Sequence, residues 1–421
     1  MEFENLGNFV ILEPFFRTLR NEFPDAELLT SLQLSEDFSR RFNLSVIHTP
    51  LLWSHGYRVL FRTLLDLFAA SLWRFIKFVM KLDIEILHKT SRRSQEIKKA
   101  DLVLDFSGDM FGDNAQTSTK FFIAIIVPII ARLLGTPIAF VASSPGPFTS
   151  LTRLWAAKYI LRNYIMIATR EPLSCYNLNF AGISGKEVKW YPCPSVGFRP
   201  DGSISMDELM RREPRLMAGA KPLVGLIPSH LNMMEPPEYK WPREDYEFEN
   251  FIKLVTYITD ELGAKVCVFS HQNKVSKDNR LVPGPDHQIV NRLLELLPQK
   301  CSEDVFTLNN IYDAPTINTI VGQFEVLISG RIHGAMQGIS QYIPTVIIDY
   351  GMNSNATKLK GFAIMTGLYE YICDSSSDTG MITTLRKVWD NRDYLKSHLA
   401  RKIPELELES RALWKDIKES L

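Results

Sequence analysis

Short, unbroken apolar runs recur along this chain, and each leads into a stretch with helical spacing. "DLVLDFSG" (101–108) precedes a helical pattern over 119–134, and "TPIAFVAS" (136–143) precedes one over 149–161. "YIMIATR" (164–170) precedes one that reaches Phe180. A second series begins at "KPLVGLIPSH" (221–230), with a helix over 246–262, "AKVCVFSH" (264–271) and a helix over 286–297. "EVLISG" (325–330), a helix over 332–341 and "PTVIIDY" (344–350) complete it. Strands that are apolar throughout are buried on both faces. Strands alternating with helices form parallel sheets covered by helices. The fold class is therefore α/β, and the two series predict two Rossmann-like domains facing each other across a cleft.

At 421 residues the chain exceeds one ordinary core, which agrees with two domains. The boundaries expected are 1–200, a linker over 201–220, 221–383, and C-terminal helices over 384–421 broken at Pro404. The polar, Gly- and Pro-containing segment 199–221 marks the junction. Lys plus Arg equals Asp plus Glu, 48 each, so no global field attracts nucleic acid. Five cysteines form no CxxC pair and no metal-ligand spacing, which suits free thiols in a reducing, cytoplasmic setting. The polar start, Met1 to Asn8, carries no signal peptide. "FFIAIIVPIIA" (121–131) is too short to span a bilayer, which takes about 20 residues. It reads as a buried helix kinked at Pro128.

Ligands of open α/β sheets sit beyond the carboxyl ends of the strands. In the first series those ends carry Ser107, Gly108 and Asp109, then Ser143 and Ser144, then Arg170 and Glu171. In the second they carry Ser229 and His230, His271, then Ser329, Gly330, Arg331 and His333, then Asp349 and Tyr350. Within "SGRIHGAMQGIS" (329–340), Ile332, Ala335, Met336 and Ile339 follow i, i+3, i+4, i+7 and form the buried face of a helix. His333 and Gln337 fall on another face. Arg331 and His333 thus occupy a first turn, where free N–H groups and the dipole favour an anion. A guanidinium there takes a carboxylate or phosphate bidentately, and an imidazole moves a proton beside it. The plainer alternative pairs Arg331 with a carboxylate such as Glu325 and leaves His333 merely packed. Arg170–Glu171 likewise reads as a plain ion pair, and Asp109 as a turn cap.

"SGRIHGAMQGISQYIPTVIIDY" (329–350) resembles the signature of the polysaccharide pyruvyl transferase family. "LGNFVILEPFFRTLRNEFPDAEL" (6–28) resembles that family's first helix, "ADLVLDFSGDMFGD" its Gly-rich turn, "SSPGPF" its Gly-Pro-Phe segment and "IATREPLSCYNLNFAGI" its Arg-acid-x-x-Ser strand and helix. "KLKGF" (358–362) resembles its late lysine. The sequence departs from the family in the first half. Asn8 stands at an aspartate position, the first strand is missing or the recorded start is too late, Cys193 stands where aspartate is commoner, and "SGD" replaces a glycine run. The resemblance implies a glycosyltransferase-B-like fold and transfer of a pyruvyl group from phosphoenolpyruvate to two hydroxyls of a sugar, giving a ketal. Arg331 is then one anion clamp, Arg170 or Lys358 the other, and His333 the acid or the base. Ser107, Gly108, Asp109, Ser144, Ser229, His271, Ser329 and Tyr350 are expected to line the substrates. No cofactor and no metal is called for. The acceptor is a polysaccharide or a lipid-linked saccharide. A nucleotide-sugar glycosyltransferase is the rival reading, and a non-catalytic relative acting as a binding protein is a second.

Partners beyond the substrates follow from "VLFRTLLDLFAASLWRFIKFVMKL" (59–82). It is apolar over most of its circumference, with Arg62, Asp66, Arg74, Lys77 and Lys81 near one stripe. Two expectations compete: a peripheral contact with the inner face of the membrane, and a core helix covered by the second domain or by a partner in a homo-oligomer.

Overall fold

The computed structural model describes residues 6–32, 34–47, 56–89, 91–108, 111–112, 118–148, 150–183, 188–200, 204–217, 219–233, 241–275, 280–350 and 357–421. Asp109 lies outside the described residues.

Helix α1 (Leu6–Glu22) is followed by a two-stranded parallel pair, Leu28–Thr30 with Leu44–Val46, and by the long helix α2 (Gly56–Met80). The first parallel sheet holds β1 (Val103–Asp105), β2 (Ile138–Ser143), β3 (Met166–Thr169) and β4 (Val188–Trp190), side by side in chain order. Its connections are α3 (Ser118–Leu134), α4 (Leu151–Leu161) and α5 (Pro172–Phe180). The period of two in a strand sorts the side chains. Ile138 and Phe140 of β2 bury against Ile130, Leu134 and Leu161, whereas Ala139 and Val141 bury against Leu12, Phe15 and Trp414. Both faces are apolar, which explains the unbroken runs.

The second sheet is parallel throughout and six-stranded. It comprises β5 (Leu223–Ile227), β6 (Lys265–Val268), β7 (Val305–Phe306), β8 (Val326–Ser329), β9 (Thr345–Asp349) and β10 (Ile372–Asp374), in the spatial order β7–β6–β5–β8–β9–β10. It is covered by α6 (Glu249–Asp260), α7 (Asp286–Leu296), α8 (Ala314–Val321), α9 (Ile332–Ser340), α10 (Lys358–Thr366) and α11 (Asp378–Asp390). The strand order changes direction at β5–β8, where chain order is broken and where α9 begins.

Among the described residues no strand precedes α1. Its apolar positions are divided between the two halves. Leu12, Phe15 and Phe16 join the first sheet's core, while Val10 and Ile11 join those of the second. The segment 206–217 carries two short helices. Between them the buried Glu213 accepts hydrogen bonds from the Asn309 and Asn310 amides and the Tyr312 hydroxyl.

One expectation is corrected at the C-terminus. The last helix, α12 (Arg392–Ser420), runs through Pro404 without a break. Ile403 and Leu406 beside the proline are fully buried, and their packing offsets the one lost backbone bond. Pro128 likewise lies inside the continuous α3.

Candidate active site

Three strand ends of the second sheet converge on one buried ion pair. Arg331, the residue that closes β8 and caps α9, donates from Nε to Asp286 Oδ2 (2.7 Å) and from Nη2 to Asp286 Oδ1 (2.8 Å). Asp286 opens α7 and is completely buried. His230, just past β5, donates from Nδ1 to the same Oδ1 at 2.6 Å, and its backbone N–H donates there at 3.2 Å. With Nδ1–H so committed, the basic nitrogen of neutral His230 is Nε2. Gln272 Oε1 accepts a further bond from Arg331 Nη2 (3.0 Å). Burial opposes the Asp286 charge, yet the Arg331 guanidinium and His230 hold its carboxyl well below the usual carboxylate range. The pair is neutral as a unit.

Around it the turns are tied down. Ser329 Oγ accepts from the Arg331 N–H and donates to the Arg331 carbonyl, so this hydroxyl shapes the β8–α9 turn. Ser229 Oγ accepts from the Leu231 N–H in the same manner. Asn232 Nδ2 donates to the Asp349 carbonyl at 2.9 Å and ties the end of β5 to the end of β9. A Cβ on Gly330 would stand 1.8 Å from Asn232 Oδ1, so only glycine fits there. Lys358 Nζ sits 5.2 Å from the centre of the Tyr350 ring. Lys360 pairs with Asp349 at 3.4 Å.

The face assigned to Ile332, Ala335, Met336 and Ile339 is buried as expected. Gln337, expected off that face, is buried as well. Its Nε2 donates to the Ala314 carbonyl, and its Oε1 accepts from His271 Nε2 at 2.6 Å. Burial pushes the His271 imidazole down to about 4, which keeps it neutral at neutral pH. His333, in the first turn of α9, is only half-buried.

The first sheet contributes a different kind of arginine. Arg170 closes β3 with 4% of its surface exposed, and its Nε donates to Ser144 Oγ at 2.8 Å. Its guanidinium lies 5.7 Å from the centre of the Phe362 ring of α10. Among the described residues no carboxylate oxygen lies within 4.0 Å of it, and Nη1 and Nη2 make no hydrogen bond. Its neighbour Glu171 makes no direct ion pair with it; burial raises the Glu171 carboxyl, while Ser174, the Arg170 charge and the Ser144 hydroxyl favour its ionised form. Glu171 caps α5 through the Ser174 N–H (2.9 Å) and presses on α10, where a Cβ on Gly361 would stand 2.0 Å from Oε2. Ser144 thus positions Arg170. Gly108 donates its N–H to Ser143 Oγ (2.9 Å), and its carbonyl accepts from the Ser144 N–H (3.0 Å). Ser107 is held by Asp105 through its backbone N–H. Beneath them, Tyr164 donates to the buried Asp105 at 2.5 Å, and burial raises that carboxyl to about 6.

Asp286, Gln272, Asn232 and Gln337 are not singled out as site residues from the sequence, although Gln272 and Asp286 fall in "FSHQ" (269–272) and "GPDHQ" (284–288), segments that also resemble the family's second domain. Among the described residues no group of three or more His, Cys, Asp or Glu side chains is arranged to hold a metal.

Two parallel sheets covered by helices, with polar groups gathered at the strand ends, make up a glycosyltransferase-B-like α/β fold. Solved structures agree. The chain is 10% identical to Anabaena HepE, crystallised with UDP and glucose, over 97% of this chain and 94% of that one, with a TM-score of 0.55. A putative UDP-N-acetylglucosamine 2-epimerase from Listeria monocytogenes aligns at 10% identity over 99% and 94%, with a TM-score of 0.57. The UDP-GlcNAc 2-epimerase of Neisseria meningitidis, bound to UDP-GlcNAc, aligns at 11% over 100% and 98%, with a TM-score of 0.54. At these identities the likeness concerns the fold alone. No curated protein sequence matches the chain. The family model for polysaccharide pyruvyl transferase matches residues 5–352, and the chain belongs to that enzyme family.

Proposed function

We propose that this enzyme moves a pyruvyl group from phosphoenolpyruvate to two hydroxyls of one sugar in a polysaccharide or a lipid-linked saccharide. Protonation of the donor's methylene carbon makes its C2 oxocarbenium-like. One sugar hydroxyl adds there, the bond from C2 to the phosphate oxygen breaks, and the second hydroxyl closes the ketal. Of the two hydroxyl protons released, one balances the proton taken by carbon and the other leaves with inorganic phosphate.

The observation that carries this reading is Arg170. Among the described residues this buried guanidinium has no directly paired carboxylate: Glu171 acts on it only through space and through Ser144, so Nη1 and Nη2 suit a ligand anion. Phosphoenolpyruvate brings both a phosphate and a carboxylate. Arg331 is already balanced by Asp286, so it contributes hydrogen bonds and shape more than net charge. The net positive field for the donor then comes from Arg170, Lys358 and the first turn of α9. His333 stands in that turn and moves the proton. His271 is excluded as an acid at neutral pH by its low pKa. Ser107, Gly108, Ser144 and Tyr350, at the strand ends, line the acceptor and donor spaces. Five free cysteines, four of them buried, support a reducing compartment such as the cytoplasm.

The test is phosphate release from phosphoenolpyruvate in the presence of candidate glycans. Acceptor-dependent release supports the assignment; turnover of a nucleotide sugar with none of phosphoenolpyruvate would replace it with the glycosyltransferase reading.

A further inference from the structure

Helix α2 is built inside out. Thr63, Asp66, Ala70 and Trp73 face the protein and are buried. Asp66 pairs with Arg93 at 2.7 Å and accepts from Ser91 at 2.9 Å. Trp73 donates from Nε1 to Asp83 at 2.8 Å, and the Lys77 ammonium stands 4.7 Å from its ring centre. The charged stripe seen in the sequence therefore turns partly inward.

The opposite stripe carries Phe61, Leu64, Leu65, Phe68, Phe75 and Val79, at i, i+3, i+4, i+7 spacing. These residues are 46–67% exposed, so no described part of the chain covers them. The same apolar surface continues past the helix end through Leu82 and Ile86. Contiguous exposed apolar surface of this extent marks an interaction site. Its rim is basic. The acids that follow the helix are taken, Asp83 by Lys77 and Glu85 by Lys89. Arg62, Arg74 and Lys81 are exposed and make no ion pair with a described residue. This local excess stands out in a chain of zero net charge.

We propose that α2 lies flat on a bilayer that contains anionic lipid, its apolar stripe among the acyl chains and its unpaired cations at the phosphates. The helix has 25 residues, about 37 Å at 1.5 Å per residue, and offers one long face. No described helix is long and apolar enough to cross a membrane, so the contact is in the plane. A second copy is the poorer occupant. Two-fold pairing of α2 with itself would bring the unpaired cations of both copies together, whereas anionic headgroups neutralise them. The inference is independent of the pyruvyl transfer reading.

Co-sedimentation of the full chain decides it. The vesicles are phosphatidylcholine alone, or phosphatidylcholine with about a third phosphatidylglycerol. Salt is low, or about 1 M, where the screening length falls to about 3 Å. The protein should pellet with the anionic vesicles at low salt and about tenfold less with neutral ones or at high salt. Phe68→Glu/Phe75→Glu and, separately, Arg62→Glu/Lys81→Glu should each lower the bound fraction about tenfold or more, with unchanged melting temperature. Wild-type protein left in the supernatant, or variants that bind like wild type, would overturn the proposal. So would a vesicle-free dimer that Phe68→Glu/Phe75→Glu converts to monomer, because the face would then belong to a second copy.

Discussion

Replacing Arg170 by methionine should leave the free protein about as stable as wild type while abolishing its response to phosphoenolpyruvate. The side chain loses one charge-assisted bond, to Ser144 Oγ at 2.8 Å, worth about 1.5–3 kcal/mol. It also loses the contact with the Phe362 ring, worth about 0.5–2 kcal/mol. Against these stands the cost of keeping a guanidinium 96% buried with no directly paired carboxylate among the described residues, a few kcal/mol that methionine does not incur. The two sides nearly cancel, so the expected change is within about 2 kcal/mol of zero. Ligand linkage behaves differently. Wild type at a hundredfold excess of phosphoenolpyruvate over Kd gains about 2.7 kcal/mol, and the variant gains almost none. Urea unfolding with and without the donor measures both quantities. A variant that loses more than about 3 kcal/mol on its own, yet keeps the donor-induced gain, would show that Arg170 is a structural cation and would refute the reasoning.

The other substitutions separate structure from chemistry. Arg331→Met strands the fully buried Asp286 charge and should cost about 3–5 kcal/mol in urea unfolding; Arg331→Met/Asp286→Asn should be less destabilised than Arg331→Met alone. His333→Ala should lower kcat about a hundredfold or more in phosphate-release assays, with donor-induced stabilisation retained. For Asp105 the folded carboxyl titrates near 6 through burial, above its unfolded value, so the folded chain keeps a proton that the unfolded chain releases. Its effect is loss of stability as pH rises from about 4 to about 6, and Asp105→Asn should remove that slope and gain about 2–3 kcal/mol over wild type above about pH 6.

The parallel strands were legible because burial on both faces leaves an unbroken apolar run in each. The start of α9 was legible for a related reason: a four-residue apolar stripe points inward, and Arg331 and His333 stand where the strand hands over to it. What sequence could not supply was pairing across distance. Glu325 stands near Arg331 in the chain, yet it pairs with Arg392 and Lys396 of α12, while Arg331 reaches Asp286, 45 residues away. Arg170 and Glu171 are adjacent and of opposite charge, yet they form no direct ion pair and interact through space and through Ser144. Gln337 shows the limit of helical periodicity. The α9 surface is buried over more than the apolar stripe, because His271 and the Ala314 carbonyl satisfy the amide inside the protein. For α2, the sequence revealed a charged stripe and an apolar one but not which of them faces water.

The central claim is ketal formation from phosphoenolpyruvate, and product NMR of the glycan after reaction in deuterated water tests it most directly. The account predicts a new pyruvyl methyl carrying one deuterium, a quaternary ketal carbon bonded to two sugar oxygens, and one phosphate released per group transferred. A product that keeps the donor's carbon–carbon double bond, or an unmodified glycan with phosphoenolpyruvate intact, would contradict it.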